Sequence, residues 1–193
     1  MGKIMGELKK NYSDTIDFSK AGSILKEVLK MIPANTHPMD VLRTACSFLG
    51  NLEPENSFDQ QLDIADRLLA IFPGIICYWY AWHHQNREIS ELTDERSIGG
   101  HFLTLLHQKE PTQLERDMMN VSLILYAEHS FNVSTFTART ITSSLSDIHG
   151  AITGAIASLK GPLHGGANEE VMNMLKKIKK PENAKKWILD ALE

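Results

Sequence analysis

The sequence predicts an all-α fold, and three observations carry that expectation. Apolar residues recur at three- and four-residue spacings through one segment after another. Residues suited to capping helix N-termini stand just ahead of most of these segments. No stretch alternates apolar and polar positions for more than a few residues, as a half-buried strand would.

Taken in order, residues 1–19 are polar, with scattered lysine and glycine, and read as a loose leader. A helix fits Lys20–Met31, with Ile24, Leu25, Val28 and Leu29 on one face, until Pro33 stops the pattern. Pro38 suits a first helical turn, so the next helix starts there with His37 as N-cap. Met39, Leu42, Cys46 and Leu49 form its stripe, and Gly50 falls past its end. Ser57 and Gln60 have capping-box spacing ahead of Leu62, Ala65, Leu68, Leu69 and Phe72. Pro73–Gly74 is expected to break that helix. In the apolar segment Ile75–Trp82, Tyr78, Trp79, Tyr80 and Trp82 point several ways around a helix, which calls for enclosure on most sides. Ser97 caps a short helix through His107, and Thr112 with Glu115 makes a capping box opening Gln113–Tyr126. Leu114, Met118, Val121 and Leu125 are the expected buried stripe of that helix. Asn132–Thr135 opens a further helix to about Ser146, and Asp147 caps Ile148–Leu159. Gly150, Gly154 and Ser158 recur one turn apart there, which lets a neighbouring helix come close. Asn168 is expected to cap a helix to about Lys179, and an amphipathic end follows Pro181 with Ala184, Trp187, Ile188 and Leu192.

With 193 residues and 42% hydrophobic content, the chain has material for one domain, or one domain and the start of another. A net charge of −4 argues against a nucleic-acid partner. The longest apolar run, Leu68–Trp82, is interrupted by Pro73 and reads as too short for a membrane span, so no membrane partner is expected. No secretory signal opens the chain. Cys46 and Cys77 lie in apolar helical patterns and read as buried thiols, which fits a cytoplasmic location.

The chemistry concentrates at Gly161–Pro162–Leu163–His164–Gly165–Gly166, where one histidine sits in a glycine-rich turn between two helices. Gly165 and Gly166 permit positive φ and close approach of a ligand. Just outside a helix N-terminus, the dipole disfavours an imidazolium, and a neutral ring can donate a hydrogen bond to a carbonyl. On the residues alone, a loop with an incidental histidine fits equally well. His37 likewise serves either as a cap or as a ligand contact. The eight histidines include no His-Glu-x-x-His spacing and no Cys-x-x-Cys accompanies them, so no metal site is expected. Neither a Gly-x-Ser-x-Gly elbow nor a phosphate-binding glycine pattern occurs. Lys176, Lys177, Lys179, Lys180, Lys185 and Lys186 read as a solvated face rather than an anion site. His129 remains, at a second interhelical corner beside Asn132 and Ser134. Two imidazoles at two such corners could polarise two carbonyls brought face to face.

At these residues the chain resembles the citrate synthase family, most closely its 2-methylcitrate-forming branch. The resemblance is carried by His37–Thr44, Cys77–Tyr80, Ser97–Phe102, Leu125–Thr137 and Gly161–Asn168, in family order and at family-like intervals. It implies a multi-helix orthogonal and antiparallel bundle: a large helical domain over 20–163, with the start of a small domain at 164–193. It further implies condensation of an acyl-CoA, propionyl-CoA or acetyl-CoA, with oxaloacetate to give 2-methylcitrate or citrate and CoA. Under the resemblance, His164 hydrogen-bonds the thioester carbonyl and His129 contacts oxaloacetate. Asn132 and Ser134 line the same site. Acyl-CoA is then a substrate, no cofactor is permanently bound, and no residue here is assigned to CoA binding. The family dimerises through helices at the positions of Gln113–Tyr126 and Ile148–Leu159, which implies a homodimer.

The departures from the family pattern are as informative. Its second carbonyl-contacting histidine, its proton-abstracting aspartate, its carboxylate-clamping arginines and most of its CoA surface have no counterpart in these 193 residues. The expectation is a partial chain, inactive alone. The other reading is a non-catalytic remnant that acts only as a helical dimerisation module.

Overall fold

The structure, a computed structural model, describes residues 20–127 and 131–192. Among the described residues there are nine α-helices and no strand: α1 (Lys20–Met31), α2 (Pro38–Leu52), α3 (Gln61–Gln85), α4 (Ile98–His107), α5 (Gln113–Tyr126), α6 (Val133–Thr142), α7 (Ile148–Leu159), α8 (Gly166–Ile178) and α9 (Ala184–Leu192). Single 3-10 turns precede α3, at Phe58–Gln60, and α9, at Pro181–Asn183. The leader expected over residues 1–19 lies outside the described residues.

Several caps form as the sequence predicts. The His37 ring accepts the Met39 N–H, and Pro38 opens α2. Ser97 and Asp147 accept backbone N–H groups at the starts of α4 and α7. Thr112 and Glu115 complete their capping box on α5. Ser57 makes no capping bond; the Gln60 amide oxygen accepts instead from the Asn56 N–H at 2.8 Å.

The core is one cluster. Leu25 and Leu29 from α1, Val41, Ala45, Cys46 and Leu49 from α2, and Leu68, Ile75, Cys77, Tyr78 and Trp79 from α3 are buried together. α7 lies across α2 and contributes Ile156, while α4 packs on α3 through Leu105. α5 rests on α4, and α6 rests on α7. The Trp79 indole N–H donates to the Ile32 carbonyl at 3.3 Å, and the Tyr78 hydroxyl donates to Glu88 at 2.8 Å.

Several expectations are corrected. Pro73–Gly74 does not break a helix, because α3 runs through both, and both are buried. Pro73 removes one backbone donor, at roughly 3 kcal/mol. Burial of Leu68 on one side and Ile75–Trp79 on the other holds both halves in line. The continuous helix has the length and apolarity of a membrane span, yet Leu68, Ile75, Cys77, Tyr78 and Trp79 build the core described above, while Leu62, Leu69 and, against the expected enclosure, Tyr80 and Trp82 are exposed. Gly50 does not end α2, which continues to Leu52; it lies against α7, where a Cβ would come within 2.8 Å of His149 Cβ. α6 ends at Thr142 rather than near Ser146, in a turn where Leu145 adopts φ 63°. Finally, Leu114, Met118, Val121 and Leu125 are all exposed, because α5 meets only α4 closely within the described residues. Periodicity marks the face a helix can bury, and among the described residues no helix packs over that face.

Candidate active site

His164 sits in the turn between α7 and α8, half-buried, with the chain folded tightly around it. Its own N–H donates to the Gly161 carbonyl at 2.9 Å, and the Gly166 N–H reaches the same oxygen at 3.1 Å. The glycines serve closeness rather than handedness, since no glycine has positive φ among the described residues. A Cβ on Gly165 would lie 2.4 Å from the Leu159 carbonyl oxygen. On Gly166 it would lie 2.9 Å from the carbonyls of Lys160 and Gly161. Asn168 is not the cap of α8; the helix starts at Gly166 after Gly165, without a side-chain cap. The turn is so compact that the helix begins within it. Asn168 therefore falls in the first turn, where its side-chain oxygen accepts from the Tyr126 hydroxyl at 3.1 Å.

The imidazole is oriented from α6. Asn132 caps that helix through its side-chain oxygen, which accepts the Thr135 N–H at 2.9 Å. Ser134, in the first turn, brings its Oγ within 2.6 Å of His164 Nε2, and its backbone N–H donates to the same nitrogen at 3.4 Å. A backbone N–H can only donate, so both contacts are satisfied together when Nε2 accepts. That leaves the ring proton on Nδ1, as a hydrogen-bond donor. The structure thus joins Ser134 to His164 and places Asn132 at the same helix end. His129 lies outside the described residues.

Contacts that sequence spacing alone does not reveal flank this turn. The His37 ring meets Glu169 of α8 at 3.2 Å, and Lys160 at the end of α7 pairs with Asp40 of α2. The Lys160 hydrogen bond holds the Asp40 carboxyl below the usual carboxylate range. The partners are far apart in sequence, and the one available signal is that His37–Thr44 and Gly161–Asn168, which Glu169 directly follows, both carry the resemblance. Cys46 and Cys77 are buried free thiols; desolvation pushes Cys77 up to about 12, which removes it as a nucleophile. The six C-terminal lysines are exposed, as a solvated face should be. A cleft of about 630 Å³ lies elsewhere, beside the Glu95–Arg116 ion pair, with Arg96, Thr104 and Asn120 in its wall.

The fold and the site together define a class: an all-helical domain that carries, in a glycine turn, an imidazole anchored by Ser134. The comparisons give the class its particular form. Residues 6–193 match the family model described as citrate synthase, C-terminal domain. The 2-methylcitrate synthase of Shewanella oneidensis is 59% identical over 169 residues, covering 88% of this chain and 45% of the relative. The citrate synthase of Heyndrickxia coagulans is 43% identical, over 86% of this chain and 45% of its own length. Among solved structures, the citrate synthase of Thermotoga maritima superposes with a TM-score of 0.76 at 29% identity, over 97% of this chain and 48% of that one. The Thermoplasma acidophilum citrate synthase, in ternary complex with carboxymethyl coenzyme A and oxaloacetate, gives 0.75 at 27% identity, over 86% of this chain and 44% of that one. The chain belongs to the citrate synthase family, and it spans about half the length of the relatives it matches.

Proposed function

We propose that this chain carries the thioester-activating half of a citrate synthase-type acyltransferase that condenses propionyl-CoA with oxaloacetate to give 2-methylcitrate and CoA. Acetyl-CoA is the second acyl donor. The observation that supports this reading is the Ser134–His164 geometry: Nε2 is occupied at 2.6 Å, which leaves Nδ1 to carry the proton that a substrate carbonyl can accept. When the acyl α-proton leaves, negative charge builds on the thioester oxygen, and a donor fixed beforehand stabilises that enolate or enol. The α-carbon then forms a bond to the oxaloacetate ketone carbon, and water hydrolyses the resulting thioester to release CoA. In this reading His129 contacts oxaloacetate, and Asn132, through its cap of α6, keeps Ser134 in place. The choice of propionyl-CoA follows the 59% identical Shewanella relative.

The same reading assigns 20–163 to the large domain and 164–193 to the opening of the small one. It seats a second copy of the chain on the exposed Leu114–Leu125 stripe of α5, and it places the protein in the cytoplasm, where its two free thiols stay reduced. The residues that abstract the proton and clamp the carboxylates are supplied by the family's C-terminal half. Thiol release from propionyl-CoA plus oxaloacetate is therefore absent with these 193 residues alone. It appears when the C-terminal half of the Shewanella relative is added. Full turnover by the chain alone overturns the division of labour; complementation that survives His164→Ala overturns the role of His164.

A further inference from the structure

We propose that His37 is a positioning residue for the His164 turn: it holds the first turn of α8 through Glu169, while Asp40 on the same turn of α2 holds Lys160 at the other end. The proposal rests on the role given to His164 above. His37 Nδ1 accepts the Met39 N–H at 3.1 Å, so its ring proton sits on Nε2, which donates to Glu169 Oε2 at 3.2 Å. Serine, threonine, aspartate and asparagine are the usual N-caps. Any of them would satisfy α2, and none would reach α8. Histidine adds a second ring nitrogen that points away from the helix it caps.

The two contacts bracket the turn. Lys160 is the C-cap of α7, and Glu169 is in the first turn of α8, so the residues between them are held at both ends by one turn of α2. Among the described residues α8 makes no extensive contact with another helix, and a further link at this end is the Tyr126–Asn168 hydrogen bond. Without the His37–Glu169 bond, α8 is free to swing about the turn and to carry His164 away from Ser134.

The test uses the full chain with His37→Asn, which keeps the cap but loses the reach, Glu169→Ala, which removes the acceptor, Glu169→Gln, which keeps one, and the His37→Asn/Glu169→Ala double variant. Amide hydrogen exchange is read at His164, Gly166, Ala167 and Asn168, whose N–H groups bond within the turn. Exchange there is expected to rise roughly three- to fivefold in His37→Asn and in Glu169→Ala, the scale of a partly exposed contact. The double variant rises no further than either single, Glu169→Gln stays at the wild-type rate, and the ring 15N shifts of wild-type His37 report a protonated Nε2. Wild-type exchange in His37→Asn, additive effects in the double variant, or Glu169→Gln exchanging as fast as Glu169→Ala would each overturn the proposal. If His37→Asn also loosens the start of α2, the Glu169 pair decides by itself, since neither variant touches α2. No substrate is needed, so a failure of complemented thiol release would refute the function proposed above and leave these readings intact.

Discussion

The contact of α6 with α7 sets where Ser134 stands, and Gly154 is its tightest point. A Cβ at Gly154 would lie 2.3 Å from Ile141 Cδ1 and 3.5 Å from Thr137 Cγ2. Carbon atoms settle about 3.5–4.0 Å apart, so in Gly154→Ala the Ile141 δ-methyl must retreat by more than about 1 Å. A side chain driven off its rotamer costs about 0.5–1.5 kcal/mol, and a helix pushed outward costs about 1–3 kcal/mol. Alanine returns about 0.5–1 kcal/mol through lower backbone entropy in the unfolded chain. The expected net loss is about 0.5–2 kcal/mol. Ile141→Val removes the offending methyl and alone costs about 0.5–1.5 kcal/mol. In the double variant the clash is gone and the alanine gain is realised, so the two changes together cost at least about 1 kcal/mol less than their sum. Urea unfolding of the four proteins, read as midpoint at constant slope, measures that coupling. Additivity within about 0.5 kcal/mol would refute the packing of α6 on α7 described above.

Other perturbations reach the site, the surface and the core. Ser134→Ala leaves His164 Nε2 only the backbone N–H at 3.4 Å; a lost bond of about 1 kcal/mol predicts a five- to tenfold fall in complemented kcat with little change in oxaloacetate KM. Steady-state thiol release measures it. Burial lowers the proton affinity of both His149 and His101 below the ordinary 6.5, so the unfolded chain binds protons first as pH falls. Stability is therefore full above about pH 6.5, declines by up to about 1.4 kcal/mol per pH unit per histidine below it, and levels off once the folded protein also takes up the proton. Urea midpoints between pH 5 and 8 give the slope, and His149→Gln removes its share. Met118→Glu and Leu125→Glu place charge on the exposed α5 stripe, and light scattering is expected to record a dimer becoming a monomer with the core unchanged.

What the sequence made legible is governed by range. Most features set by a few neighbouring residues came through, the expected Ser57 and Asn168 caps excepted: the Pro38, Ser97, Thr112 and Asp147 starts follow from local hydrogen bonding, and the structure reproduces them. Features decided by distant packing did not. Pro73 reads as a breaker until the core on both sides of it is counted, and Gly50 reads as a stop until α7 is laid against it. The α5 stripe has the right period and the wrong surroundings. At the site, the histidine in its glycine turn was visible as a motif. Its partner Ser134 was placed near it by the family resemblance, while the His37–Glu169 and Asp40–Lys160 contacts required the folded chain.

Everything turns on whether the imidazoles at 129 and 164 share one site. The direct measurement is a titration with oxaloacetate of the histidine-labelled chain, complemented with the unlabelled C-terminal half of the Shewanella relative, followed through the ring 15N and 1H shifts of all eight histidines of the chain. The reading predicts that His129 and His164 move together along one saturating curve, with His101 and His149 unmoved. Saturable shifts at other histidines while these two stay still, or no saturable shift at either ring, would contradict it.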